Sequence, residues 1–154
     1  MAVATEKKRR IIPPVYLLLA LASMPLLHWF LPAIRYVHEP LSYAGIIAVV
    51  SGIFMASVSA AMFRKAGTGI EPFDDATTLV TGGFYRYSRN PMYLGMILML
   101  AGSAFLLGSA GPLVPLVIFI LVIRNHFVLA EERFLEAVFG QRYLDYKSTV
   151  RRWL

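Results

Sequence analysis

Between Tyr85 and Gly95 the chain reads Tyr-Arg-Tyr-Ser-Arg-Asn-Pro-Met-Tyr-Leu-Gly, and further on it carries Arg124-Asn125-His126 and the pair Glu131-Glu132. These residue types suit a small zwitterion that also bears a fixed positive charge. The guanidinium of Arg89 can take a carboxylate through two parallel hydrogen bonds. Glu131 or Glu132 can hold an ammonium group, and tyrosine faces attract a cation. Backbone amides around Gly82-Gly83 and at a helix start near Asn90 are suited to anionic groups. His126 is the candidate base for an acceptor that must lose a proton. An Arg with two Glu more often forms an interfacial salt-bridge network, and composition alone does not choose this ligand over another zwitterion.

The two polar clusters flank a run, Pro91 to Ile123, with no Asp, Glu, Lys, Arg or His. The whole chain is 58% hydrophobic over 154 residues, above the roughly half expected of a soluble domain, and its mean hydropathy is +0.63. Stretches of about 20 uncharged residues are long enough to cross a bilayer. Two precede the polar clusters, at about 11–34 and 41–63. The run from 91 to 123 is too long for one perpendicular crossing and short of two. The turn signal Gly108-Ser109-Ala110-Gly111-Pro112 splits it into a hairpin, and the second arm must then continue to about residue 130.

The expected fold is therefore all-α, an integral membrane bundle of four transmembrane helices with a C-terminal cytoplasmic amphipathic helix. Its spans fall at about 11–34, 41–63, 90–108 and 112–130, joined by a cytoplasmic loop at 64–89, and the amphipathic region covers 131–154. All of this reads as one domain. The hairpin brings the start of the third span beside the end of the fourth, so Arg89, Asn90 and Tyr93 can meet Arg124, His126, Glu131 and Glu132. Small residues at Gly45, Gly52, Ala56 and Ala60, and at Gly95 and Gly102, read as close helix packing. Tyr143, Tyr146, Val150 and Trp153 recur at helical spacing and read as interfacial anchors.

The formal net charge is +6, but its distribution speaks for a membrane rather than nucleic acid. Basic residues cluster before the first span (Lys7 to Arg10), after the second (Arg64, Lys65, Arg86, Arg89) and near the C-terminus, while Arg35 alone represents Lys and Arg between the first two spans. This positive-inside pattern places both termini in the cytoplasm, and the expected setting is a bacterial inner membrane. With no Cys and only His28, His38 and His126, no metal centre is expected. His28 reads as structural. The apolar N-terminal segment is too long for a cleavable signal core and lacks a clear cleavage site.

The motifs Leu79-Val80-Thr81-Gly82-Gly83-Phe84-Tyr85, Arg89-Asn90-Pro91-Met92-Tyr93-Leu94-Gly95, Glu131-Glu132, Phe139-Gly140, Tyr143, Tyr146 and Val150-Arg151-Arg152-Trp153 come in a telling order. Through them the chain resembles the isoprenylcysteine carboxyl methyltransferase and phospholipid methyltransferase superfamily of integral membrane enzymes. The resemblance covers about the C-terminal half. It implies S-adenosyl-L-methionine as cofactor, in a pocket lined by Thr77, Thr78, Leu79, Val80, Tyr85, Asn90, Pro91, Met92, Tyr93, Glu131 and Glu132. Arg89, Arg124 and His126 are then the candidate catalytic residues. Eukaryotic relatives usually have His at the position of Asn90, and their substrate-side Arg aligns with Phe127.

The leading expectation is methyl transfer to a lipophilic acceptor from the bilayer, an isoprenylcysteine-like carboxylate or a small lipophilic thiol. A phospholipid amine N-methyltransferase is the alternative within the enzyme class. A small four-span transporter would be expected to carry an ionisable residue deep in a span, and the first three spans lack a central charge. A non-catalytic four-span lipid-binding protein is the third possibility, which failure to bind the cofactor would favour.

Overall fold

The computed structural model describes residues 12–30, 34–67 and 77–154. The basic cluster Lys7 to Arg10, parts of the first expected span, and Gly69, Pro72, Asp74 and Asp75 of the loop lie outside the described residues. The described residues form helices, with one isolated antiparallel bridge between Arg35 and Ser109. Helix α1 is Pro13–Phe30, α2 is Gly45–Lys65, α3 is Pro91–Leu107, α4 is Leu113–Val122, α5 is Leu129–Phe139 and α6 is Gln141–Thr149. Short 3-10 turns at Leu41–Ala44 and Gly83–Arg86 precede α2 and α3.

Three helical stretches, Pro13–Phe30, Leu41–Lys65 and Leu113–Phe139, are long and apolar enough to cross a membrane, and Pro91–Leu107 is a shorter apolar helix. Together they make an all-helical membrane bundle. Helix α3 opens with Pro91 in its first turn, where the missing amide donor has no intrahelical partner to lose. It closes at Gly108, whose φ of 66° is left-handed and whose N–H reaches Ala104 O. The chain then reverses into α4.

The fourth helix does not stop at residue 130. A π-helical turn, Ile123–Val128, joins α4 to α5, and the helix runs on to Phe139. An acidic, amphipathic sequence after residue 130 reads as a new element. Yet nothing in Leu129–Phe139 breaks a helix, and the breaker is Gly140, with φ of 53°.

The closest packing is between α2 and α3. A Cβ on Gly52 would lie 2.5 Å from Gly95 O, and one on Gly45 would lie 2.4 Å from Gly102 O. The two glycine pairs repeat at seven residues on antiparallel helices, so the backbones touch without side chains between them. The main core joins α1, α3, α4 and the π turn through Ala20, Met24, Tyr93, Leu100, Ala104, Phe119, Ile123, Phe127 and Val128. Outward faces carry Leu18, Leu19, Ile47, Val50, Phe54, Val117, Ile118 and Leu121, all exposed, as side chains facing acyl chains would be. At the hairpin end His28 Nδ1 and Ser109 Oγ share a hydrogen bond of 2.7 Å. His28 there ties α1 to the α3–α4 turn.

Candidate functional site

At the opposite end from that turn, the residues preceding α3 meet the first turn of α5 and the segment after α6. Tyr93 is buried one turn into α3, and its hydroxyl donates to Glu131 Oε1 at 2.8 Å. That is the only hydrogen bond of the Glu131 side chain among the described residues. Adjacent residues on a helix point about 100° apart, so Glu132 faces a different set of partners. Arg152 Nε and Nη2 donate to its two oxygens, each at 2.8 Å, and Arg89 Nη1 stands 3.2 Å from Oε1. The side chains of Arg89 and Glu132 are only 8% and 7% exposed, so this pair works in a low-dielectric setting where an uncompensated charge would be costly.

Arg89 Nη1 also donates to Tyr143 Oη at 3.4 Å, while its Nε is buried without a hydrogen-bond partner. Burial pushes the Tyr143 phenol above its ordinary range, and the nearby Arg89 draws it partway back. Tyr85 is buried and its ring meets Phe63 edge-on at 5.3 Å. Its carbonyl accepts from Tyr146 Oη at 2.7 Å. Burial raises both phenols, so each stays protonated as a donor. Asn90 is buried; its Nδ2 donates to Arg152 O at 3.1 Å and its N–H donates to Ser88 Oγ at 3.2 Å. Pro91 is buried and Met92 half-buried at the head of α3.

The structure thus brings together Arg89, Asn90, Tyr93, Glu131 and Glu132, with Tyr85 nearby through Tyr146. It does not bring Arg124 or His126 to them. Both are exposed on the π turn, where Arg124 Nη1 donates to the adjacent Asn125 Oδ1 at 3.2 Å. Phe127, between them and α5, is buried in the core with its ring 5.8 Å from that of Tyr16. Thr77 and Thr78 are exposed and Leu79 and Val80 half-buried, in the stretch leading to the 3-10 turn. Thr77 Oγ1 donates to Gly67 O at 3.3 Å.

Four participants are absent from the expected site residues, Ser88, Tyr143, Tyr146 and Arg152, although the last three lie in motifs that carry the resemblance. The tyrosines look like interfacial anchors by spacing, yet Tyr143 is 1% exposed. A signal was present in the charges. Two adjacent glutamates on a helix face two directions, and the Arg89 cluster supplies a buried guanidinium to only one of them. Arg89 and Arg152 both serve Glu132, and Tyr93 serves Glu131.

The fold and site define a small helical membrane protein with a buried Arg–Glu–Tyr cluster at one end of its bundle. The family model described as "Phospholipid methyltransferase" matches residues 41–142. The chain belongs to this family. It is 43% identical over 63 residues to an uncharacterized protein of Haemophilus influenzae, a match covering 41% of this chain and all of that protein. It is 33% identical over 117 residues to a protein-S-isoprenylcysteine O-methyltransferase of Rattus norvegicus, covering 71% of this chain and 39% of the relative. A protein of the same description from Schizosaccharomyces pombe is 36% identical over 75 residues, covering 47% of this chain and 30% of the relative. The match therefore spans well under half the length of these two methyltransferases. No solved structure matches the chain.

Proposed function

We propose that this protein is a membrane-embedded methyltransferase that uses S-adenosyl-L-methionine to methylate a lipophilic acceptor. The observation that carries the reading is the Tyr93–Glu131 hydrogen bond of 2.8 Å, which joins the two motif stretches that the family resemblance assigns to the cofactor. The donor set fits that molecule. Glu131 has acceptor capacity beyond Tyr93 for an ammonium group, and Tyr85 and Tyr93 offer aromatic faces for a sulfonium. Arg89 has a buried Nε without a partner, although its Nη1 is committed to Glu132 and Tyr143. Both oxygens of Glu132 are taken by Arg152, so the ammonium role falls to Glu131.

When bound, S-adenosyl-L-methionine supplies a methyl group that an attacking lone pair displaces from sulfur, which keeps the electron pair of the broken bond. The protein's work is to align and desolvate. Tyr93 fixes the carboxylate of Glu131, and Asn90 and Pro91 fix where α3 begins. Apolar helix faces present the acceptor from the bilayer. A carboxylate acceptor has no proton to lose, so no base is needed for it. A thiol or amine needs one, and His126 on the π turn is the group proposed to take it.

The acceptor class we favour is an isoprenylcysteine-like carboxylate or a small lipophilic thiol. A phospholipid amine is the second reading, supported by the family's description. The deciding experiment incubates membranes containing the protein with methyl-labelled S-adenosyl-L-methionine and characterises the labelled extract. Base-labile label indicates an ester, and base-stable label in a phospholipid fraction indicates an amine. Absence of label from every lipid and lipophile would count against the enzyme.

A further inference from the structure

Beyond α6 the backbone turns extended at Val150, with φ of −117° and ψ of 130°, and lies against the residues that lead into α3. Arg89 N–H donates to Arg151 O at 3.0 Å. Arg152 O accepts from both Ser88 Oγ at 3.3 Å and Asn90 Nδ2 at 3.1 Å. The Arg152 side chain reaches the other way, to Glu132, through two hydrogen bonds of 2.8 Å. Trp153 packs on the main core beside it. One residue therefore grips both halves of the candidate site, its carbonyl on the 88–90 turn and its guanidinium on α5.

We infer that Arg152 is a positioning residue for the cofactor, setting the Asn90–Tyr93 stretch against Glu131 by linking the turn before α3 to the first turn of α5. The inference rests on the cofactor reading proposed above. Two features separate it from an ordinary staple. Arg89 already neutralises Glu132 at 3.2 Å, so charge balance at that carboxylate does not require Arg152. What Arg152 adds is direction, because a planar two-point contact fixes the carboxylate plane in a way one contact does not. The carbonyl contact does the same for Asn90. A carbonyl only accepts, so the side-chain amide must present its nitrogen to Arg152 and leave its oxygen for other donors.

The test uses the full chain in detergent with two readouts, calorimetric titration with S-adenosyl-L-methionine and amide hydrogen exchange of the 88–90 turn. Arg152→Ala is expected to weaken cofactor binding at least tenfold and to speed exchange at Arg89 at least tenfold. Arg152→Lys keeps the charge but not the planar fork, so it should recover only part of the affinity. Arg151→Ala, whose side chain is exposed, is the control and should bind as wild type. Wild-type affinity in Arg152→Ala would overturn the inference, as would full recovery by Arg152→Lys. If wild-type protein itself binds no S-adenosyl-L-methionine, the cofactor reading fails and the positioning role fails with it. The exchange readout remains informative in that case, since unchanged exchange in Arg152→Ala would show that Arg152 does not hold the turn either.

Discussion

Glu131 and Glu132 are neighbours in sequence but belong to different hydrogen-bond systems, Glu131 accepting from Tyr93 at 2.8 Å and Glu132 held by Arg152 at 2.8 Å. The helix geometry that separates them leaves Glu131 with Tyr93 as its side-chain partner and commits Glu132 to the Arg89–Arg152 pair. Substitutions at the two positions should therefore fail in different ways.

Glu132→Gln is expected to be a folding defect. It leaves the guanidiniums of Arg89 and Arg152 facing each other around a neutral amide, with Arg89 buried. Removing one partner of a buried ion pair costs about 3–5 kcal/mol. Thermal unfolding in detergent should show a clear drop in midpoint. An unchanged midpoint would mean that the cluster is more hydrated than its burial indicates.

Glu131→Ala should leave that midpoint closer to wild type and abolish S-adenosyl-L-methionine binding by calorimetry. Leaving the buried Tyr93 hydroxyl without its acceptor costs about 1–3 kcal/mol, less than breaking the Glu132 ion pairs. Tyr93→Phe, which removes only the hydroxyl, should weaken binding less than Glu131→Ala does. Wild-type affinity in Glu131→Ala would remove Glu131 from the site.

Packing between α2 and α3 leaves no room for a methyl group. Gly52→Ala would place a Cβ 2.5 Å from Gly95 O and 2.8 Å from Met99 N, both backbone atoms that cannot swing aside. Overpacking typically costs about 1–3 kcal/mol, against a gain of about 1 kcal/mol in helix propensity. Net destabilisation is expected, and larger for Gly52→Val. A Gly52→Val protein as stable as wild type would show that the helices separate easily.

Alkaline pH should loosen the site before it affects the membrane helices. Burial raises the phenols of Tyr85, Tyr143 and Tyr146 above their usual value of 10.0. Below pH 10 the folded and unfolded chains both keep these protons, so stability is unaffected. Above it the unfolded chain releases protons that the folded chain retains, and stability falls by about 1.4 kcal/mol per pH unit for each such tyrosine. The share of tyrosinate absorbance that belongs to these three buried tyrosines should rise together with unfolding rather than ahead of it. Titration of all eight tyrosines near pH 10 in the folded protein would contradict the burial.

Much of the helical layout was legible because long uncharged runs and the Gly108–Pro112 turn signal depend on local chemistry. The Arg89–Glu132 and Tyr93–Glu131 contacts were within reach because a hairpin of known length brings its ends together. Arg152 was legible as part of a motif but not as a partner of Glu132. Its contact with Glu132 depends on Gly140 reversing the chain so that α6 folds back on the site, and no periodicity reports that direction. Phe127 shows the same limit in another form. The resemblance aligns it with a substrate-side arginine, but the π turn sends it into the core against Tyr16 and leaves Arg124 and His126 outside.

That placement sets the last prediction. His126 and Arg124 are exposed and form no hydrogen bond or ion pair with Tyr93, Glu131 or Arg89, so neither should affect cofactor affinity: His126→Ala and Arg124→Ala should each bind S-adenosyl-L-methionine within about twofold of wild type. Their exposure on a π turn, a feature often found at functional sites, within a helix long enough to cross a membrane puts them where a lipophilic acceptor would approach. If His126 takes a proton from a thiol or amine acceptor, His126→Ala should lower turnover by about 10²–10⁴-fold. If the acceptor is a carboxylate, the same variant should turn over near the wild-type rate, because a carboxylate has no proton to give. Arg124→Ala would then be the variant with the raised acceptor KM, through loss of a cation that can pair with the acceptor's charge. Wild-type kinetics in both variants would exclude the π turn from the acceptor side.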